Sequence, residues 1–277
     1  MPGVELELYG IQAHYMAAIA YVTLAREEGK TEASLHYYRN VGHHGGCARK
    51  AIETVVKKDI SEHTHTKDWI VKNHFDVLVY ELEALMHLKS WNRLFEFCEY
   101  CLNTDYDAFD MASSYWPRYA NLSIKINEQM LEDRTYPDIE LHKLKGLWFL
   151  QEIINRMYKE NREIKAVCRW IRCLFQITVK SNWEWALQCL DQAADIARKQ
   201  KNTNTPFDPY ELSWLATTSF NHGMDLYNAR DEKNCRLWSE KALTLAAEAT
   251  DDGNLVNHLR EKFATLIWEG DTAMDAN

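Results

Sequence analysis

The segment Pro206–Ala246, PFDPYELSWLATTSFNHGMDLYNARDEKNCRLWSEKALTLA, limits the possible folds more than any other part of the chain. Asp208 is a good N-cap, Pro209 suits the first helical position, and Glu211 sits where a capping box places its acid. Leu212, Leu215, Phe220, Met224 and Tyr227 recur at helical spacing. Asp231 and Glu232 mark a short turn, after which Cys235, Trp238, Ala242, Leu245 and Ala246 carry a second apolar stripe. Two antiparallel helices joined by so short a turn cannot bury their apolar faces alone. They need neighbours of the same kind, which predicts an α-solenoid.

The remaining composition agrees. With 10 Gly and 5 Pro in 277 residues, and no alternating Val/Ile/Thr segments, the chain reads as all-α. It is long enough to bury a sizeable core, and it is expected to form one α-helical solenoid over residues 1–277. A net charge of -9 with scattered basic residues argues against binding a nucleic-acid backbone. MPGVELELYG lacks the charged-then-apolar pattern of a signal peptide, and Tyr15–Leu24 is too short to span a bilayer. Seven cysteines without disulfide-framework spacing suit a reducing compartment, so an intracellular, soluble chain is expected.

Periodicity predicts about ten or eleven helices. They run near Glu5–Glu28, Thr31–Lys58, Lys67–Leu88, Trp91–Leu102, Asp107–Met130, Asp138–Tyr158, Arg162–Val179 and Asn182–Gln200, followed by the Pro206–Ala246 pair and Asn254–Trp268. The second is expected to break at Val41–Gly46, where three glycines weaken a helix. Pro117 should start or kink a helix, and Ser181 with Glu184 reads as a capping box. Residues 199–207 are the expected mobile connection and residues 270–277 a frayed acidic tail.

A repeat test sharpens the pattern. Leu174 leads to Ala186 after twelve residues and to Ala193 after seven more. The same offsets join Gly223, Cys235 and Ala242, and again Leu82, Leu94 and Cys101. Small or medium residues at such places let paired helices approach closely. The three starts are not spaced at the tetratricopeptide period of about 34 residues, so the array is degenerate.

Candidates for chemistry are sparse. Cys98 and Cys101 have metal or redox spacing, and a zinc site would recruit His43, His44 and Cys47, or His63 and His65. Both thiols also fall on the apolar face with Leu94 and Phe95, where cysteine packs as a small hydrophobe. Cys168 and Cys173 lie on opposite sides of a helix and cannot share one ion. Gly42–Gly46 follows no strand and has no closing Lys-Ser/Thr, so it reads as a helix-breaking loop rather than a phosphate cradle. No catalytic, cofactor-binding or metal residue is assigned, and no cofactor is expected.

The aromatics are abundant. Trp148, Trp170, Trp214, Trp238 and Trp268 fall on apolar stripes and are expected in the core. Trp183 and Trp185 cannot face the same way on a helix, so one of them is a candidate for exposure. Tyr115, Trp116 and Tyr119 form a further cluster with either reading open.

Tyr210–Tyr227 (YELSWLATTSFNHGMDLY), continued by Cys235–Ala246 (CRLWSEKALTLA) and preceded by Val167–Phe175 (VCRWIRCLF), resembles the C-terminal portion of a known family. These are fungal meiotic tetratricopeptide scaffold proteins of the sporulation and synapsis-initiation ("zipper") type. The resemblance implies a non-enzymatic nuclear scaffold on meiotic chromosomes that promotes synaptonemal complex assembly and crossover recombination. Its implied partners are other recombination and synapsis proteins, with no small-molecule substrate and no membrane. The alternative is a generic tetratricopeptide adaptor of another pathway, which would hold peptide tails in a groove lined with Lys, Arg and Asn.

Overall fold

The computed structural model describes residues 2–56, 64–104, 115–132, 139–159 and 163–268. Among these residues the chain is all-α, with eleven helices and no strand. None of the helices is long and apolar enough to cross a membrane. The chain divides into two compact units, Met1–Arg156 and Met157–Asn277. The expected tail at 270–277 lies outside the described residues.

The first unit holds α1 (Pro2–Glu28), α2 (Glu32–Val56), α3 (Thr64–His87), α4 (Trp91–Asn103), α5 (Trp116–Glu132) and most of α6 (Ile139–Lys159). Helix α1 packs along α2, and α3 lies against α1, α2, α4 and α5. That central place explains why α3 is buried on most of its surface, from Ile70 to Met86. It also forces its acids to find partners, because an unpaired buried carboxylate is strongly disfavoured. Asp76 accepts from the Tyr15 hydroxyl at 3.0 Å and is paired with Arg118. Glu81 pairs with Arg49 at 3.1 Å, and Glu83 takes a two-pronged contact from Arg26 at 2.8 and 2.5 Å. Helices α1, α2 and α5 are thus each tied to α3 through a separate arginine. Tyr115, Trp116 and Tyr119 are core residues, with Tyr119 edge-on to Phe75 and Phe149.

Helix α2 runs unbroken through Gly42–Gly46, contrary to the expected interruption. The reason is a close helix crossing. A Cβ on Gly45 would sit 2.7 Å from the Glu81 Cγ, so this glycine makes room for the buried acid of α3. Packing overrides a helix-propensity cost of roughly 1 kcal/mol per glycine.

The second unit holds α7 (Ile164–Thr178), α8 (Trp183–Gln200), α9 (Pro209–Asn228), α10 (Glu232–Ala247) and α11 (Asn254–Ala264). Helices α7 and α8 form one antiparallel pair and α9 and α10 the next. The pairs stack with α7 on α9 and α8 on α10, as in a tetratricopeptide-like solenoid. Phe175 lies edge-on to both Trp214 and Trp238 at the centre. Arg172 joins Glu211 across α7 and α9 at 3.1 Å, and Lys241 joins Asp191 across α8 and α10 at 2.5 Å. Asp208 caps α9 as expected, accepting from the Tyr210 and Glu211 amides at 2.9 and 3.3 Å. Helix α8 is capped one residue later than expected. Asn182 accepts from the Trp185 amide at 3.0 Å, while the Ser181 hydroxyl turns back to the Ile177 carbonyl.

All nine residues of the three offset sets are buried. The α3–α4 and α9–α10 pairs also share one turn. Lys89 and Arg230 adopt the left-handed region (φ 52° and 64°), and the next amides, of Ser90 and Asp231, bond five residues back to Leu85 and Leu226. Lys89 follows Leu82 by seven residues, as Arg230 follows Gly223. A Cβ on Gly223 would meet the Ser239 hydroxyl at 2.9 Å and the Cys235 carbonyl at 3.3 Å. This is the close approach expected there.

Candidate functional site

The groove between α2, α3 and α4 in the first unit is a cavity of about 610 Å³. Residues 39, 42, 43 and 49 of α2 share one face and form one wall. Gly42 keeps that wall low, since a Cβ there would meet nothing within 4 Å. Ala84 and Leu85 of α3, Leu88 of the turn that follows it and Phe97 of α4 supply an apolar floor, and Arg39, His43, Arg93 and Glu96 stand around it.

At one end Arg49 is locked in place. Its guanidinium holds Glu81 at 3.1 Å and Glu53 at 3.2 Å, and it stacks over the Phe97 and Tyr100 rings at 5.3 and 4.9 Å. The Tyr100 hydroxyl donates to Glu53. Burial raises the Glu81 carboxyl above its ordinary range, although Arg49 pulls the other way. Burial would raise Glu53 as well, but the Tyr100 hydroxyl and Arg49 together hold it below the usual carboxylate range. Burial and the adjacent Glu53 push Tyr100 up to about 12. Among the described lining residues, that phenol is the only hydroxyl and there is no thiol. Arg39 and Arg93 are exposed and enter no ion pair among the described residues.

The cysteine candidates are packing residues. Cys98 and Cys101 are 1% and 0% exposed, and burial pushes both thiols well above the ordinary range. Cys168 is fully buried, its thiol pushed up to about 12, whereas Cys173 is only partly covered. His43 and His44 gather with His14 instead, where the His14 and His44 Nδ1 atoms lie 3.0 Å apart. Among the described residues, no group of three or more His, Cys, Asp or Glu is placed to hold a metal. His63 and the side chain of His65 lie outside what is described. The glycines of 42–46 lie within a helix, so their amides are engaged in the helical ladder and cannot cradle a phosphate.

Trp183 is the exposed member of its pair, at 50%, and Trp185 is partly covered. Trp170, Trp238 and Trp268 are buried as expected, and Trp214 is half-buried beneath Arg172. Trp148 departs from expectation at 40% exposed, because the inner face of α6 is filled by Leu147, Phe149, Leu150 and Ile153. In the Tyr210–Ala246 stretch, Leu215, Ala216, Phe220, Cys235 and Trp238 are all core residues, so its residue order records packing.

Sequence reasoning missed the groove. Its arginines are dispersed over two helices and carry no motif. The one available signal was Asp76 and Glu81 embedded in the apolar run of α3, which demands basic partners nearby.

No protein-family model matches the chain, and no curated protein matches it. Among solved structures it is similar to BtubC (BKLC) from P. vanneervenii, at 12% identity over 94% of each chain with a TM-score of 0.32. It is also similar to the de novo designed helical repeat protein DHR64, at 17% identity over 93% of this chain and 99% of that one, with a TM-score of 0.26. Scores this low carry no argument about function.

Proposed function

We propose that this chain is a non-enzymatic protein-interaction scaffold whose α2–α3–α4 groove holds an extended acidic segment of a partner protein. The supporting observation is the contrast in how the charges are used. The acids Asp76, Glu81 and Glu83 of α3 are paired within the fold, while Arg39 and Arg93 stand exposed and outside any ion pair among the described residues, beside an apolar floor. Planar guanidinium forks match carboxylates two bonds at a time, and the floor accepts an apolar side chain between them. Fluorescence anisotropy with a labelled peptide alternating Glu and Leu tests this. Binding should be salt-sensitive and lost in Arg39→Glu/Arg93→Glu at unchanged melting temperature; equal binding by that variant would refute the groove.

The pathway we infer is meiotic synapsis and crossover recombination, with recombination and synapsis proteins as partners on meiotic chromosomes in the nucleus. It rests on the resemblance of Tyr210–Tyr227 and Cys235–Ala246 to meiotic scaffolds. Deleting the gene in the source organism should reduce crossovers and impair synapsis, and normal values of both would rule it out. The groove also suits the second reading, a peptide-tail adaptor of another pathway. Recovery of only non-meiotic proteins from meiotic cells, by a pull-down that Arg39→Glu/Arg93→Glu abolishes, would favour it.

A further inference from the structure

Helix α1 has two apolar faces. One carries Ile11, Ala18, Val22 and Ala25, which are buried inside the first unit. The other carries Leu6, Tyr9, Ala13, Met16, Ala20 and Thr23, and all six are exposed, with Leu6 at 75% and Tyr9 at 69%. A water-facing helix surface normally carries polar residues. Here the spacing of three and four residues repeats over three heptads, the seam of a coiled coil. The Thr23 hydroxyl is already bonded to the Ile19 carbonyl at 2.9 Å, so it does not oppose burial of this face.

We propose that this seam binds a second copy of the chain, α1 against α1 in antiparallel orientation. The order of side chains singles out that occupant. Leu6, Tyr9 and Met16 are the large residues of the seam and Ala13, Ala20 and Thr23 the small ones, and reversing one copy sets large against small in each layer. Leu6 meets the partner's Thr23, Tyr9 meets the partner's Ala20, and Met16 meets the partner's Ala13. In parallel register Tyr9 would face Tyr9 and Ala13 would face Ala13, giving alternate crowding and voids. The flanks agree. The same antiparallel register brings Glu5 opposite Arg26 of the partner subunit. Arg26 holds Glu83 through Nε and Nη2, which leaves its Nη1 outward on a half-exposed side chain. On the other flank, Gly10 and Ala17 are small enough to let the two backbones approach. A Cβ on Gly10 would meet nothing within 4 Å, so nothing in its own chain fills that space.

The seam spans roughly 27 Å and belongs at the lower end of stable interfaces, which begin near 1,200 Å² of total buried surface. The dimer is therefore reversible and dilution separates it. It uses none of the groove residues and is independent of the peptide-binding reading.

Sedimentation equilibrium of the full chain over a wide concentration range tests the proposal. A monomer–dimer equilibrium is expected. Ala13→Glu places a carboxylate in two symmetry-related layers and should weaken the dimer by about a hundredfold or more. Position 13 faces solvent in the monomer, so helical content and melting should be unchanged at concentrations where the protein is monomeric. A chain that stays monomeric at its highest soluble concentration overturns the proposal, as does a dimer indifferent to Ala13→Glu. Orientation is read from disulfide trapping. An equimolar mixture of Tyr9→Cys and Ala20→Cys chains should cross-link between the two variants, with peptide mapping separating this bond from any formed by the partly covered Cys47 and Cys173. Cross-linking of each variant to itself would overturn the antiparallel arrangement.

Discussion

At the residue scale, Gly45 and His74 show how burial sets what a position tolerates. Gly45 is fixed by the Glu81 side chain against it, whereas Gly42, three residues earlier on the same helix, faces open space. Gly45→Ala should therefore destabilise the first unit by about 1–3 kcal/mol, because Glu81 must move off Arg49. Gly42→Ala should be neutral or stabilising by up to about 1 kcal/mol through helix propensity alone. Chemical denaturation of the two variants checks the pair, and equal effects would contradict the close crossing. His74 makes a different point. Burial lowers its pKa from 6.5 to about 4. The unfolded chain takes up that proton at higher pH than the folded chain, so this contribution is complete above pH 6.5 and lost as pH falls toward 4. It amounts to roughly 3 kcal/mol. Melting temperature should drop across that window, and His74→Phe should flatten the drop.

At the element scale, the repeated unit is a pair of helices closed by a turn of set length. Lys89 and Arg230 hold the same left-handed conformation in the turns of α3–α4 and α9–α10. A side chain there is disfavoured by about 1–2 kcal/mol. Lys89→Gly and Arg230→Gly should each stabilise the protein, by about 1 kcal/mol or less once glycine's extra unfolded-state entropy is counted. Thermal denaturation reads the effect, and destabilisation by both would argue against a shared turn. The offsets of twelve and seven residues located these pairs in the sequence. The turn geometry behind them was not legible, since neither turn carries the glycine that usually marks a left-handed residue. The break expected in α2 failed for a related reason. Glycine signals both a turn and a close helix contact, and the sequence does not distinguish them.

At the scale of the whole molecule, the two units use charge differently. In the second unit the ion pairs join helices that already stack, as Arg172 with Glu211 and Lys241 with Asp191. In the first, arginines from α1, α2 and α5 converge on α3 and place its acids in the core. Arg49→Ala should therefore strand Glu81 and destabilise the first unit by about 3–5 kcal/mol. Replacing both by Met should recover most of that loss, because well-packed apolar residues can substitute for a buried pair. A double variant as unstable as Arg49→Ala would show that the loss is one of shape and not of stranded charge.

The sequence by itself determined the all-α class, the helix pairs and the close contacts within them. Those features depend on local periodicity and on side-chain size at set spacing, which a single chain displays directly. Only the tertiary structure decided which charges are spent and which remain available. Asp76 and Glu81, set in the apolar run of α3, call for basic partners, but only the packing of α2 and α5 shows that these are Arg49 and Arg118. Arg39 and Arg93 become one groove only when α2 and α4 meet across α3. Charge pairing between distant segments depends on which helices become neighbours, and helical periodicity carries no record of that choice.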